Sequence, residues 1–565
     1  MRGGNVREPR FRGSLCAFGF LAASLLALAQ SALADEPYLR QLEMLRASSS
    51  VLPPKLPRVE LFAMYNREAP IPPQCYTRTE GKHNPCYVCH QNAVPERENV
   101  MNDGDLQAEY SFSETGVTNH WTNLFEDRSA RVARISDASI RRWIDTDNYS
   151  ELGGRLRAAG FQGWIPDLKG LERAEGAFDA HGFAKDGSQW VAINYKPFPS
   201  TFWPTNGSTD DVMIRLPAEF RRDASGRESR DVYVANLAIL ETAIKGLPEV
   251  GTWAFDEHAV GVDLDGDGRL GRASVVKARD SYVGGASKVA VEHTVYPQGT
   301  EFLHTVRYVG VAADGGITAS RRMKEVRYMR RWIPATRAHL KQGYVNEAIE
   351  KNKGELPAYL NFGDEGLATR MGWQLSGFIE DRNGRLRANT YEEQMFCMGC
   401  HNSIGTTVDK TFSFARKRDG AKGWGYINLK GMPDAPNVGE AKGEIATYLE
   451  RVGGGSEFRS NPEMAARWYQ ANGEVNAEAV GRARDVYDLI TPSAARALQL
   501  NKAYKVLVED QSFLFGRDAT VTPPANVYRT VDSETAPTLP EKFQYTWDLR
   551  LDWRAAAGAR VAGTP

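Results

Sequence analysis

The pattern Cys-x-x-Cys-His occurs twice, as CYVCH at residues 86–90 and as CMGCH at residues 397–401. Each copy sets two thiols about one turn apart, with an imidazole directly after the second. That arrangement suits a flat macrocycle. The thiols meet two vinyl groups on one edge, and the imidazole swings beneath the ring to a central metal. Two other chemistries use closely spaced thiols. A zinc site would pair the two Cys-x-x-Cys units into one tetrathiolate, which leaves the histidine after each copy without a role. A thioredoxin-like dithiol wants a βαβ context, and neither copy follows a buried strand pattern. The anchor reading uses all six residues, Cys86, Cys89, His90, Cys397, Cys400 and His401, and implies two covalent haem c groups. Any fold this chain adopts must then place each pair beside a space wide enough for such a ring.

The first residues bear on compartment. Arg2, Arg7, Arg10 and Arg12 surround or precede an apolar run, SLCAFGFLAASLLALAQ (14–30), and SALADEP follows with small residues at Ala32 and Ala34. This predicts a cleaved leader over 1–34, with cleavage after Ala34 and a periplasmic or secreted product. The alternative, a retained anchor, is disfavoured by the short run and its cleavage-type ending. Cys16 lacks the small residue usual before a lipid-modified cysteine, so the sequence does not read as a lipoprotein. No other segment approaches a membrane span. Subtracting the leader's four arginines and Glu8 from 70 basic and 71 acidic residues leaves 66 and 70. That balance gives no support to nucleic-acid or polybasic membrane binding.

With two such motifs behind an export leader, the chain resembles the exported dihaem c-type cytochromes. The resemblance rests on the two pentapeptides and the leader, a small part of the sequence. It implies thioether attachment through the four motif cysteines and proximal iron ligation by His90 and His401. The activity it suggests is electron transfer between redox partner proteins or small-molecule donors and acceptors. The alternative is a dihaem oxidoreductase of peroxidase or oxygenase type with one five-coordinate catalytic haem. The 311 residues from Cys86 to Cys397 are wider than the compact dihaem peroxidase pattern.

What fills the sixth iron position would divide those two readings. Met432, in LKGMPDAP, lies 31 residues past His401; His120, in VTNHWTNLF, lies 30 past His90. KVAVEHTVYPQGTEFLHTVRYVG (288–310) reads as a hairpin around Gln298-Gly299, which would set His293 across from His304 on an apolar face. Both are further distal candidates, or a polar pair lining a pocket. Cys75, outside the motifs, reads as a buried structural thiol, a distal thiolate or an intermolecular disulfide partner.

The expected fold class is α+β and multi-domain, with mostly helical or irregular haem-bearing parts around a β-containing centre. The divisions fall at 35–170, 171–320, 321–520 and an extended tail, 521–565. WVAINY (190–195) and DVMIRLP (211–217) read as strands, and DVYVANLAILETAIKG as a helix stopping at Gly246. RRMKEVRYMRRW and TRAHLKQGYVNEAIEKNKG read as helices. VDLDGDGRLG (262–271) sets Asp263, Asp265 and Asp267 at alternating positions before Gly268, with the Arg269 carbonyl following. That is most of a calcium loop, although Ser274 stands where an EF-hand has its closing glutamate, so another acidic group or water must complete the shell.

Overall fold

In a computed structural model the chain is described over residues 64–78, 83, 85–92, 101, 102, 104, 105, 112–199, 202–355, 359–453, 461–539 and 548–556. The leader and Cys16 lie outside them. Ten strands are built from the described residues: β1 (Val191–Ala192), β2 (Thr209–Arg215), β3 (Glu249–Asp256), β4 (Arg272–Lys277), β5 (Glu301–Val311), β6 (Ile317–Arg331), β7 (Leu360–Asn361), β8 (Leu367–Ala368), β9 (Trp373–Glu380) and β10 (Leu386–Ala388). Eight form one antiparallel sheet in the order β1-β2-β5-β6-β9-β8-β7, with β10 on β9. The other two, β3 and β4, make a separate hairpin. Four longer helices frame the large sheet: α1 (Arg230–Lys245), α2 (Arg337–Asn352), α3 (Tyr391–His401) and α4 (Ala494–Asp510). The α+β, multi-domain class expected from the sequence is the one observed.

Helix α1 forms where its sequence says it should. Ser229 accepts from the Val232 amide at its start, and Gly246 ends it in the left-handed region at φ +66. Its apolar residues go all the way round, and nearly the whole helix is buried in the largest core cluster. Helix α4 covers β5, where Asn501 exchanges hydrogen bonds with both backbone groups of Val309 (3.1 and 2.7 Å).

Two expectations are corrected. RRMKEVRYMRRW is part of β6, the longest strand, rather than a helix. Its long cationic side chains suggest a solvated helix, but Arg322 and Arg331 are buried and paired, with Glu380 at 2.6 Å and Asp409 at 3.0 Å, and the partly buried Arg327 pairs with Glu325 at 2.8 Å. The 288–310 hairpin does not form. Residues 291–300 are irregular, with Thr294 at φ +60, and β5 pairs instead with β2 and β6. His293 therefore never faces His304 and lies near Gly246, whereas His304 pairs with Val212 on β2.

Gly246→Ala would force a side chain into the left-handed region and set its Cβ 2.7 Å from the Arg550 guanidinium. The expected loss is about 1–3 kcal/mol in chemical denaturation, from the helix stop alone.

Candidate functional site

Strand register builds the floor of a large cavity. Val212, His304, Arg327 and Gly377 form one row across β2, β5, β6 and β9, with Ile214, Phe302, Met329 and Leu375 two residues away. Side chains two apart on a strand share a face, so Phe302, His304, Val306, Arg327 and Met329 all line the same space. The cavity is partly open to solvent at its mouth. The walls are mainly apolar, with Lys324, Arg327, Arg416 and Arg517 set against Asp210, Glu325 and Asp518. Such a lining favours a flat, apolar body that carries negative charge at its edge.

All six residues of the two Cys-x-x-Cys-His copies line this one cavity, and Cys75 lines it with them. The sequence held the copies 311 residues apart; the fold brings them together. The first copy is a short 3-10 turn, Cys86–Val88, closed by the Cys89 and His90 amides donating to the Cys86 carbonyl (3.1 and 2.9 Å). Its Tyr87 points away into a core cluster with Trp203, Tyr448 and Leu449, and Val88 joins that cluster while also lining the cavity. The second copy is the last turn of α3. Thr390 and Glu393 cap that helix reciprocally, and Arg387 grips Glu393 with two bonds of 2.8 Å. Segment 64–72 straps α3: Glu392 accepts from the Tyr65 and Asn66 amides, and a Cβ at Gly399 would lie 1.9 Å from the Pro70 carbonyl oxygen.

His401 is held as a neutral imidazole. Its Nδ1 lies 2.8 Å from the Lys410 carbonyl, which fixes the proton there and leaves the Nε2 lone pair available. Burial lowers its pKa to about 4 against the opposing pull of that carbonyl, and Arg327 and His304 add to the fall. The cysteines are thiols, not disulfides. Burial pushes Cys75 up to about 12, with Cys400 contributing, and Cys400 itself up to about 11. Cys86 is also raised by burial, with Cys75 adding to it. So Cys75 lies between the two copies and feels both. Among the described residues these thiols and imidazoles do not gather into a group of three at ion-binding distance, so the tetrathiolate zinc alternative finds no geometry there.

The other sites expected from the sequence fare differently. His304 is in the cavity, its Nε2 3.6 Å from Asp210, whose carboxylate also accepts from the Tyr195 hydroxyl. Met432 is fully buried in the core cluster that holds Tyr87 and Val88 and does not line the cavity. His120 packs edge-on to Tyr65, also outside the cavity lining. In the loop between β3 and β4, Asp263 and Asp265 come together with Glu257 within 4.8 Å. Glu257, which no sequence spacing pointed to, supplies the missing acidic group. It is almost wholly buried and accepts from the Leu264 and Gly271 amides. Asp267 instead caps the Arg269 amide at 2.8 Å.

A two-lobed thiol and imidazole lining around one apolar cavity on an antiparallel sheet is what the site defines. A family model described as "-like lipoprotein" matches residues 59–488. An uncharacterized lipoprotein of Aquifex aeolicus (strain VF5) is 33% identical over 512 residues, covering 80% of this chain and 86% of that protein. The chain belongs to this lipoprotein family. No solved structure matches it.

That membership corrects the earlier placement. The chain is not assigned to the dihaem c-type cytochromes, and neither electron transfer nor a peroxidase- or oxygenase-type oxidoreductase stands as its function. The reason is one of extent. Two pentapeptides describe local chemistry, whereas the family match describes most of the chain. The reading that set lipoproteins aside on the residue before Cys16 is corrected with it. Export fits the family, and among the described residues no helix is long and apolar enough to cross a membrane.

Two outcomes follow from this geometry. Gly399→Ala should displace the 64–72 strap and cost about 1–3 kcal/mol, read as faster hydrogen exchange at Asn66 and Ala69. For His401, the folded apoprotein takes up its proton only near pH 4, the unfolded chain near 6.5. Its contribution to stability is therefore full above pH 6.5 and is lost as pH falls toward 4. A denaturation series across that window should show a slope that His401→Gln diminishes; an unchanged slope would contradict the assignment.

Proposed function

We propose that the cavity seats two covalently attached haem c groups, one on Cys86 and Cys89 and one on Cys397 and Cys400, making this an exported haem-binding member of its lipoprotein family. The observation that carries the reading is the opening of both motifs into one mainly apolar cavity. When bound, the group would supply a haem iron. His401, its tautomer fixed from behind, would hold it through Nε2, and His90 would do so for the group on the first copy. His304 stands on the sheet floor beside Asp210, a partly buried imidazole that would be available as a second ligand. The apolar walls exclude water, and the arginines suit the carboxylate edge of a haem.

The same reading gives the loop at 257–269 a calcium ion, held by Glu257, Asp263 and Asp265, with Asp267 and the Arg269 carbonyl at its rim. Its role would be to pin the β3–β4 hairpin.

Full-length protein made in a host that matures c-type cytochromes should gain the mass of two haems. Cys86→Ser with Cys89→Ser, or Cys397→Ser with Cys400→Ser, should each lose one. A wild-type chain that gains none sinks the proposal. Added calcium should raise the melting temperature of the wild type and leave Glu257→Gln with Asp263→Asn unmoved.

A further inference from the structure

His401 owes its orientation to a turn that the sequence does not advertise. Val408 and Thr411 exchange two backbone hydrogen bonds of 3.1 Å around Asp409 and Lys410, a two-residue turn. Both central residues have positive φ, +48 and +63. Turns of that hand normally use Asn-Gly or Gly-Gly, because a side chain in the left-handed region costs of order 1 kcal/mol or more. Two such residues in succession persist only where their surroundings over-determine them.

The surroundings here do so. The Asp409 carboxylate is fully buried, accepts from the Tyr296 amide at 2.9 Å and from the Trp373 indole, and pairs with the fully buried Arg331 at 3.0 Å. The Lys410 ammonium is bonded to the Tyr344 hydroxyl and lies 3.9 Å over that ring. What the strained turn presents is the Lys410 carbonyl, aimed at His401 Nδ1. Phe412, just past the turn, packs edge-on to the same imidazole.

We propose that the Asp409–Lys410 turn, clamped through Asp409 by Arg331, is the positioning device that holds His401 in one tautomer and points Nε2 into the cavity. This rests on the haem-binding reading of that cavity. Asp409 and Arg331 touch neither ring nor metal; they act through the Lys410 carbonyl. The Lys410 backbone oxygen does the orienting, and its side chain, bonded to Tyr344, lies outside the device.

Nitrogen-15 NMR of the full-length apoprotein reports the His401 tautomer without any haem. Wild type should show one species, protonated at Nδ1. Asp409→Ala should give a mixture of both tautomers. Lys410→Gly, which tolerates the left-handed backbone and keeps the carbonyl, should retain the single tautomer. In the haem-loaded protein, Asp409→Ala should keep its covalent haem, because Cys397 and Cys400 are untouched, yet lose His401 to added imidazole about tenfold more readily. A wild-type tautomer mixture, or a folded Asp409→Ala protein still locked at Nδ1, overturns the proposal. If Asp409→Ala does not fold, Lys410→Gly decides: loss of the single tautomer in that folded variant contradicts the role of the carbonyl. A chain that takes up no haem but shows these tautomers would sink the cavity reading and leave the positioning device standing.

Discussion

A cavity of this size stays open only if its walls are fixed from behind, and here buried ion pairs do much of the fixing. Glu325 is shared by Arg327 and Arg517, and although burial works against its charge, those two arginines hold its pKa below the usual range. Arg416 grips Glu444 with bonds of 2.6 and 2.5 Å, and Lys196 joins them at 3.2 Å. Buried pairs of this kind contribute modestly against a hydrophobic alternative, but removing one partner strands a charge and costs about 3–5 kcal/mol. They therefore specify where the walls stand more than they add to total stability. Arg327, Arg416 and Arg517 belong to both layers, lining the cavity and tying it to the scaffold.

The two motifs contribute chemistry but not architecture. Each is a single turn: a short 3-10 turn in one case, the end of a capped helix in the other. Their convergence is a property of the sheet, whose register sets His304 and Arg327 side by side beneath them. This explains why a resemblance confined to ten residues misplaced the family. The pentapeptide is portable, and the scaffold that receives it here belongs to a lipoprotein family.

What could be read in advance followed from local rules. Helix α1 has its serine cap, its apolar periodicity and its terminal glycine in one continuous stretch, so its bounds were plain. The aspartates at 263, 265 and 267 declared a loop through spacing alone. The failures share a cause, which is that the deciding partner lay far away in sequence. Strand β6 looked helical because Glu380 and Asp409, which neutralise its arginines, are 58 and 78 residues downstream of Arg322 and Arg331. The His293–His304 pairing assumed a turn at Gln298-Gly299, but the β5 edge was taken by β2, some 90 residues earlier. Glu257 and the Asp409–Lys410 turn gave no signal: the first precedes its loop, and the second lacks the glycine that marks such turns.

The central claim is that both motifs serve one shared space, so the two bound rings must lie close together. Circular dichroism in the main haem absorption band tests this directly, because neighbouring rings couple and split the band into lobes of opposite sign. The account predicts such a split signal in the wild type that vanishes in each single-motif variant. A wild-type spectrum equal to the sum of the two single-motif spectra would contradict it.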